Sequence, residues 1–314
     1  MNEASETVVV AGPRQRPGDR FFRYLTAAFG LVAILLAVSL AVSLWRGSQA
    51  AWLKFGPHFI VGTNWNPVKE KFGALPFIYG TLVSSLVALV VALPLGVGSA
   101  IFLSELASPT VSDVCSFLIE LLAAVPSVIL GLMGIFVLVP VVRAVEPFLS
   151  RRLGFLPLFR GAPYGVGLLA AGLILALMIL PYITVITREV LLQVPKPMKE
   201  AMLALGATHW ETVWGVSLPY ARSGIAGALF LSLGRALGET MAVTMVIGNT
   251  PKISASLFDP AYSMAAVIAN ELAEAVGDMH LSSLVAIGLT LFGITVVING
   301  LARLMLYRLG AAGK

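Results

Sequence analysis

A series of long apolar runs between short charged segments is the feature that most constrains this chain. A helix that crosses the hydrocarbon core of a bilayer needs about 20 predominantly apolar residues. Runs near that length occur at residues 25–45, 76–103, 117–142, 166–186, 223–247 and 284–306. Only 12% of the 314 residues are charged, about half of the share in a soluble domain. The sequence therefore excludes a soluble globular protein and predicts an all-α membrane protein, a bundle of about six transmembrane helices.

The charged residues at the ends of these runs indicate the domain organisation and the orientation. We interpret residues 1–24 as a cytoplasmic N-terminal tail, 25–71 as a first transmembrane anchor with its external loop, 72–308 as the main transmembrane domain, and 309–314 as a cytoplasmic C-terminal tail. The lysines and arginines of the loops favour both termini inside by a small margin. Residues 48–50 resemble a signal-peptidase site, but the preceding run is longer than the apolar region of a signal peptide, so we predict an uncleaved anchor.

Proline and glycine residues interrupt several of the runs, notably at Pro94, Pro126, Pro181, Gly131 and Gly134. In a single anchor these residues would weaken the helix, whereas in a bundle the neighbouring helices satisfy the freed backbone groups. A packed bundle is therefore expected.

Metal and cofactor chemistry has little support in the sequence. Cys115 is the one cysteine, which excludes an internal disulfide and a thiolate metal cluster. The three histidines are far apart and match no metal-ligand spacing. No Walker A phosphate loop occurs. We therefore predict no metal site, no cofactor bound by this chain and no enzymatic activity of its own.

Arg235 and Glu239 lie in the middle of the fifth apolar run. Each ionised group at the bilayer centre costs roughly 2.5 to 3.5 kcal/mol, so the two charges need an explanation. On a continuous helix they lie about 40 degrees apart and can pair, with Asn249 about 40 degrees to the other side of Arg235. One interpretation is a pair that locks neighbouring helices together. The favoured interpretation is a substrate path formed by Arg235, Glu239 and Asn249, because intramembrane charges usually mark such paths.

The chemistry of this pair predicts an oxyanion as the substrate. A guanidinium presents planar donors that suit phosphate. The Glu239 carboxylate would repel a fully ionised anion, but it can accept a hydrogen bond from a protonated oxyanion. Phosphate keeps a proton near neutral pH and sulfate does not, so the pair favours phosphate. In the other interpretation, Glu239 holds Arg235 in position.

The segment between the fourth and fifth runs predicts a short amphipathic helix. Pro195 and Pro197 suit a helix start, and Gly206 suits its end. Such a helix can also lie on the lipid surface, an arrangement that Trp210 and Trp214 would support.

This segment resembles the EAA motif of ATP-binding-cassette (ABC) importer permeases, which reads Glu-Ala-Ala, three residues, Gly, nine residues, Ile-x-Leu-Pro. The positions that match in register are Glu200, Ala201, Gly206, Leu218 and Pro219. The resemblance implies the type I ABC importer permease fold. It also implies that the loop forms a cytoplasmic coupling helix, which docks on a separate ATPase subunit.

Residues 93–105 and 234–249 resemble the permeases of the phosphate-specific transport (Pst) family, and the second stretch is closer to the PstC branch than to the PstA branch. The resemblance implies a heterodimer with a PstA-like permease in the bacterial inner membrane. It further implies a PstB-like ATPase dimer that uses ATP and Mg inside, and a PstS-like phosphate-binding protein outside.

Two other interpretations remain beside a phosphate importer. A sulfate or molybdate ABC permease would use a similar path, and competition for uptake would distinguish it. A stand-alone secondary anion carrier would use Arg235 and Glu239 as a gate, but it has no need of the EAA-like loop, and the runs show no evident inverted repeat. An intramembrane enzyme lacks a nucleophile with a base or a set of metal ligands.

Two further polar regions each allow two interpretations. Glu120, near the inner end of the third run, is either an interfacial charge or a contact for the coupling machinery. Residues 254–274 form either a helical external or re-entrant segment that touches a binding protein, or a solvated connector.

Overall fold

The computed structural model describes residues 17–311. The chain divides into two units, one that ends at Arg46 and one that starts at Gly47. Within its described residues, the first unit is the beginning of helix α1 (Pro17–Phe55), whose apolar side chains are exposed. The first predicted span is confirmed, but the helix starts at Pro17, inside the predicted tail. The rest of that tail, residues 1–16, and residues 312–314 of the predicted C-terminal tail lie outside the described residues.

The second unit begins with the end of α1 and a small layer of short elements. The helix continues without interruption through residues 48–50, where Ser48 is fully buried, and the uncleaved anchor stays a prediction. The next elements are α2 (His58–Val61), the antiparallel strands β1 (Trp65–Asn66) and β2 (Lys71–Phe72), and helix α3 (Leu75–Ile101), which a π-helical turn extends to Leu106.

The third predicted span is wrong in its boundaries, because Pro126 divides it. Helix α4 (Pro109–Ala123) ends before this proline, which has no N–H and disfavours a helical conformation of Val125. The long apolar helix begins only at Ser127. It consists of α5 (Ser127–Met133), a π-helical turn (Gly134–Leu138) and α6 (Val139–Leu153), and a 3₁₀ turn follows at Pro157–Phe159.

The second half of the chain has three long helices, with pairs of short helices between them. The long helix α7 (Leu168–Leu192) is followed by α8 (Lys196–Ala204), α9 (His209–Thr212), a π-helical turn (Val213–Ser217), α10 (Leu218–Gly238), α11 (Met241–Val246), α12 (Met264–Glu271) and α13 (Asp278–Ala311).

Five stretches of the described chain are long and apolar enough to cross a membrane, at Phe21–Phe55, Leu75–Leu106, Ser127–Leu153, Leu168–Leu192 and Asp278–Arg308. The fifth predicted span does not meet this criterion. Its helix, α10, includes Arg222 and Arg235 and ends at Gly238, well before the predicted end at residue 247. The predicted helical membrane bundle is confirmed, but the span at 223–247 is broken.

Helix α7 lies at the centre of the main core, packed along α3 and against α10. Small residues allow close approach: a methyl group at Gly96 would lie 2.7 Å from the side chain of Ile183, and one at Gly134 would lie 2.8 Å from Val246. The expected packed bundle is therefore present. A second core joins the small layer of α2, β1 and β2 to α12 and α13, around Phe59, Phe77 and Met264.

Candidate functional site

The predicted path residues lie around an interruption of the fifth span. Helix α10 ends at Gly238, Glu239 has an extended backbone with φ −69° and ψ 127°, and α11 starts at Met241. Threonine hydroxyls satisfy carbonyls at the break, because Thr240 Oγ1 donates to Gly238 O and Thr244 Oγ1 donates to Thr240 O. The expectation of an Arg235–Glu239 pair on one face of a continuous helix is therefore wrong.

Arg235 lies against an aromatic ring instead of a carboxylate. Its guanidinium carbon is 4.5 Å from the centre of the Tyr182 ring. The ion pairs formed among residues 17–311 do not include Arg235 or Glu239. Tyr182 belongs to α7, next to Pro181, and its hydroxyl donates to the carbonyl of Ala123 over 3.4 Å. Arg235 thus lies where the end of α10, the middle of α7 and the end of α4 meet.

Glu239 and Asn249 hold the two ends of α11. The Glu239 carboxylate accepts a hydrogen bond from the N–H of Ala242, 3.3 Å away, in the first turn of the helix. Asn249 has a left-handed backbone, with φ 46°, and its amide donates to the carbonyl of Thr244 over 3.0 Å. An asparagine tolerates this conformation better than most residues do. Glu239 is partly exposed and Asn249 is exposed; Glu239 lies at the break and Asn249 follows the opposite end of α11.

Backbone hydrogen bonds attach α11 and the segment that follows it to the start of α7. Gly167 N–H donates to Val246 O over 3.0 Å, and Leu169 N–H donates to Leu257 O over 2.7 Å. Residues 261–267 are buried, so the interpretation of 254–274 as a solvated connector is wrong for this part. The segment includes the helix α12, whose N-terminal Ser263 accepts a hydrogen bond from Ala266 N–H. A helix is therefore confirmed for Met264–Glu271, while the external location of the segment and its contact with a binding protein stay predictions.

One ion pair anchors the exposed beginning of that segment. Lys252 Nζ lies 3.1 Å from a carboxylate oxygen of Asp259. Burial acts to raise the pKa of Asp259, but hydrogen bonds from Ser254 and Lys252, together with the charge of Lys252, bring this pKa below its usual value. Asp259 is therefore ionised near neutral pH.

The helix predicted between the fourth and fifth runs is confirmed as α8, and its end has the geometry that the sequence indicated. Gly206 has φ 88°, and its N–H donates to Leu203 O while Ala207 N–H donates to Met202 O. These two bonds form the Schellman motif, which needs a residue with positive φ at this position. Thr208 and Glu211 then form a capping box at the start of α9. Hydrogen bonds from the backbone and side chain of Thr208 lower the pKa of Glu211.

The EAA-like residues occupy the surface of this region. Glu200, Ala201, Gly206 and Pro219 are exposed, and Leu218 is half-buried. Large apolar side chains are exposed beside them, with Leu205 at 84%, Trp214 at 60% and Trp210 at 54% of full exposure. A surface this apolar on a short helical hairpin is suited to contact with a partner protein or with lipid.

Sequence reasoning missed three residues with specific contacts near these features. Tyr182 holds the guanidinium of Arg235, and its one signal in the sequence is an aromatic residue after Pro181 in an otherwise aliphatic run. Lys199 and Glu105 form an ion pair of 2.7 Å between α8 and the turn after α3. Nothing in the sequence indicated that these two residues pair, because they are 94 positions apart. Glu120 is exposed on α4, and its role stays open.

Comparisons with known proteins agree on the family. The family model described as binding-protein-dependent transport system inner membrane component matches residues 92–310. The chain is 49% identical to the phosphate transport system permease protein PstC of Mesorhizobium japonicum, over 93% of this chain and 91% of that protein. It is 47% identical to the PstC of Xylella fastidiosa, over 94% of this chain and 93% of that protein.

A solved structure supports the fold alone. The inward-facing MetNI methionine ABC transporter matches with a TM-score of 0.51 at 20% identity, over 76% of this chain and 94% of that chain. The expected type I ABC importer permease fold is therefore confirmed. From the family match and the extent of these identities, the chain belongs to the binding-protein-dependent transport system inner membrane component family, in its PstC branch.

Proposed function

We propose that this chain is a permease subunit of an ATP-driven phosphate importer in the bacterial inner membrane, with both termini in the cytoplasm. It forms the translocation path together with a PstA-like permease, receives phosphate from a PstS-like binding protein outside, and is driven by a PstB-like ATPase dimer inside. ATP and Mg are used by that ATPase, and this chain contributes no catalytic residue. The names of its PstC relatives support phosphate as the substrate.

The observation that carries the proposal is Arg235, which lies at the break of the fifth span and forms no ion pair with an acidic residue of the described chain. Its guanidinium contacts the Tyr182 ring and leaves N–H donors available at the meeting point of three helices. A guanidinium binds a phosphate oxyanion through two parallel hydrogen bonds, which are stronger than bonds between neutral groups. Arg235 is therefore the residue proposed to bind the passing phosphate.

Glu239 and Asn249 complete the proposed path. A carboxylate that is not neutralised by Arg235 repels a dianion without a proton, but it accepts a hydrogen bond from a protonated phosphate. The Asn249 amide supplies both a donor and an acceptor. This arrangement favours phosphate over sulfate, which is the alternative substrate of closest chemistry.

The exposed hairpin formed by α8 and α9 (the α8 hairpin) supports the docking of an ATPase at the proposed cytoplasmic end of the path. Its EAA-like residues and the neighbouring tryptophans form an accessible surface that the described residues 17–311 leave largely uncovered. We propose that ATP binding draws the coupling helices of the two permeases together and turns the path outward, and that hydrolysis resets it.

Reconstitution tests the proposal directly. The complex of both permeases and the ATPase is placed in proteoliposomes with the binding protein and ATP, and uptake of labelled phosphate is measured. Arg235→Gln is expected to lower uptake by about 100-fold or more, the usual effect of removing a key donor to an oxyanion, without loss of assembly. Arg303→Gln, an exposed arginine of α13, is the matched control and should transport normally.

Two results would contradict parts of the proposal. Normal uptake by Arg235→Gln removes this arginine from the mechanism. Equal competition by sulfate and phosphate in the intact complex removes the selectivity assigned to Glu239 and favours the sulfate or molybdate permease instead.

A further inference from the structure

The helix α8 is joined to the membrane helices by a polar contact. None of its residues, Lys196–Ala204, is buried, so apolar packing contributes little to its attachment. Lys199 Nζ lies 2.7 Å from Glu105 Oε1, and only 19% of the lysine side chain and 11% of the glutamate side chain are exposed. This pair is therefore largely shielded from water, although the helix around it is not.

Glu105 lies at the end of α3, close to the start of α4 and the end of α7. It belongs to the π-helical turn Phe102–Leu106 at the end of α3. Within the same turn, Leu103 O accepts a hydrogen bond of 2.8 Å from Ser112 Oγ at the start of α4, and Arg188 near the end of α7 donates to that hydroxyl over 3.1 Å. The ends of α3, α4 and α7 are thus connected by hydrogen bonds beside the ion pair.

The geometry of this contact suits the transfer of movement. Apolar surfaces slide past each other at low cost, whereas a shielded ion pair is screened little by salt and resists separation. Single π-helical turns are frequent at functional sites, since they mark places where a helix deviates from regular hydrogen bonding. Helix α3 also packs along α7, which carries Tyr182 and its contact with Arg235. A displacement of α8 therefore has a continuous polar and packed route to the proposed substrate path.

We propose that Lys199 and Glu105 are positioning residues for energy coupling: the pair transfers the displacement of α8, produced by the ATPase, into the end of α3. This inference rests on the proposed function, because it assumes that α8 docks on an ATPase. It predicts that loss of the pair separates ATP hydrolysis from transport, rather than preventing either assembly or hydrolysis.

The test measures ATP hydrolysis and phosphate uptake in the same proteoliposomes of the full complex. Lys199→Gln and Glu105→Gln each remove one charge; Glu105→Gln keeps the side-chain size, while Lys199→Gln also shortens the side chain. We expect hydrolysis to continue and the amount of phosphate transported per ATP to fall about tenfold, a change typical of a lost coupling energy. The double variant Lys199→Glu with Glu105→Lys reverses the pair and is expected to restore most of this ratio.

An exposed pair of the same type provides the control. Lys54 Nζ lies 2.6 Å from Glu70, but 40% and 60% of these side chains are exposed, and Lys54→Gln should leave the ratio of phosphate to ATP unchanged. An unchanged ratio in both single variants, or a reversed pair as uncoupled as the single variants, would overturn the inference. So would a fall in the amount of assembled complex with an unchanged ratio per complex, since the pair would then be structural.

The wild-type complex separates this inference from the proposed function. If it fails to transport phosphate at all, the proposed function fails whatever the variants do. If it transports phosphate and the single variants remain coupled, only the role of the pair is wrong.

Discussion

At the scale of single residues, the surroundings of Arg235 support its proposed role in binding phosphate. A charged side chain within the bilayer costs roughly 2.5 to 3.5 kcal/mol. The contact with the Tyr182 ring returns about 0.5 to 2 kcal/mol, so the ring offsets only part of this cost. A side chain that served only to hold helices together would be expected to have a carboxylate partner, and no described carboxylate forms an ion pair with Arg235.

Tyr182 is predicted to position Arg235 through its ring and not through its hydroxyl. Tyr182→Leu removes the aromatic face, and we expect the maximal rate of phosphate uptake to fall about tenfold, as for a contact of about 1.4 kcal/mol. Tyr182→Phe keeps the face and loses only the hydrogen bond to Ala123, which at 3.4 Å is long and weak. Uptake kinetics in proteoliposomes, at saturating binding protein, distinguish the two variants.

A merely structural tyrosine would behave differently. If the phenylalanine and leucine variants lose the same share of transport, the ring has no special role and the contact with Arg235 is incidental. Rescue by phenylalanine alone supports positioning, provided that both variants are assembled in equal amounts.

At the scale of elements, the sequence predicted the long helices better than the breaks between them. Apolar length located α3, α7 and α13, because membrane burial imposes that length. The break after Ala123 had a signal in Pro126, but the same residue type is accommodated within α7 at Pro181. Whether a proline ends a helix or bends it depends on neighbours that satisfy the freed carbonyls, and one sequence does not specify those neighbours.

The break after Gly238 was harder to predict. The residues around it continue an apolar run, and the signals for the break are a glycine followed by polar Glu239 and Thr240. The structure shows that the short helix α11 is held by distant partners, through its packing on α5 and the bond from Gly167. The pair inferred from helical spacing failed for this reason, although the position of Arg235 near a break remains compatible with the proposed path.

The close contact between α5 and α11 leads to a prediction for the element as a whole. A methyl group at Gly131 would lie 2.5 Å from Met245 Sδ and 3.1 Å from the Cα of Ala242. Gly131→Ala therefore displaces the Met245 side chain and presses on the α11 backbone at Ala242, and overpacking of this kind costs about 1 to 3 kcal/mol. We expect a lower unfolding temperature of the purified complex. We also expect reduced phosphate uptake, because a shift of α11 would move Glu239 and Asn249, the proposed path residues that are hydrogen-bonded to its two ends.

A glycine in open space provides the control for this variant. A Cβ atom added at Gly293 of α13 would meet nothing within 4 Å. Since alanine favours a helix over glycine by about 0.5 to 1 kcal/mol, Gly293→Ala should keep or slightly raise the unfolding temperature. If Gly131→Ala behaves in the same way, the α5–α11 contact is looser than its geometry indicates.

At the scale of the whole molecule, the exposed α8 hairpin and the largely shielded Lys199–Glu105 contact have two separate proposed roles, ATPase docking and the transfer of its displacement. The outer face of the hairpin carries the EAA-like residues, which were recognisable because the motif has fixed spacing within one short segment. The inner contact joins residues far apart in the chain, so only the structure revealed it. The same distinction applies to Tyr182 and Arg235, whose contact depends on how α7 and α10 pack.

The last prediction concerns assembly, and it follows from the exposure of Glu200. Because α8 has no buried residue, Glu200→Lys should leave the fold of this chain intact while it places a positive charge in the proposed docking surface. Like charges brought together at an interface cost several kcal/mol. A partner surface that accepts the negative Glu200 should therefore repel the positive charge, and the ATPase should be lost when the permease complex is purified by a tag on this chain. Glu274→Lys, an exposed glutamate on the side predicted to face outward, makes the same charge change and should retain the ATPase. Equal recovery of the ATPase with both variants would show that Glu200 does not contribute to docking, and it would weaken the assignment of α8 as the coupling helix.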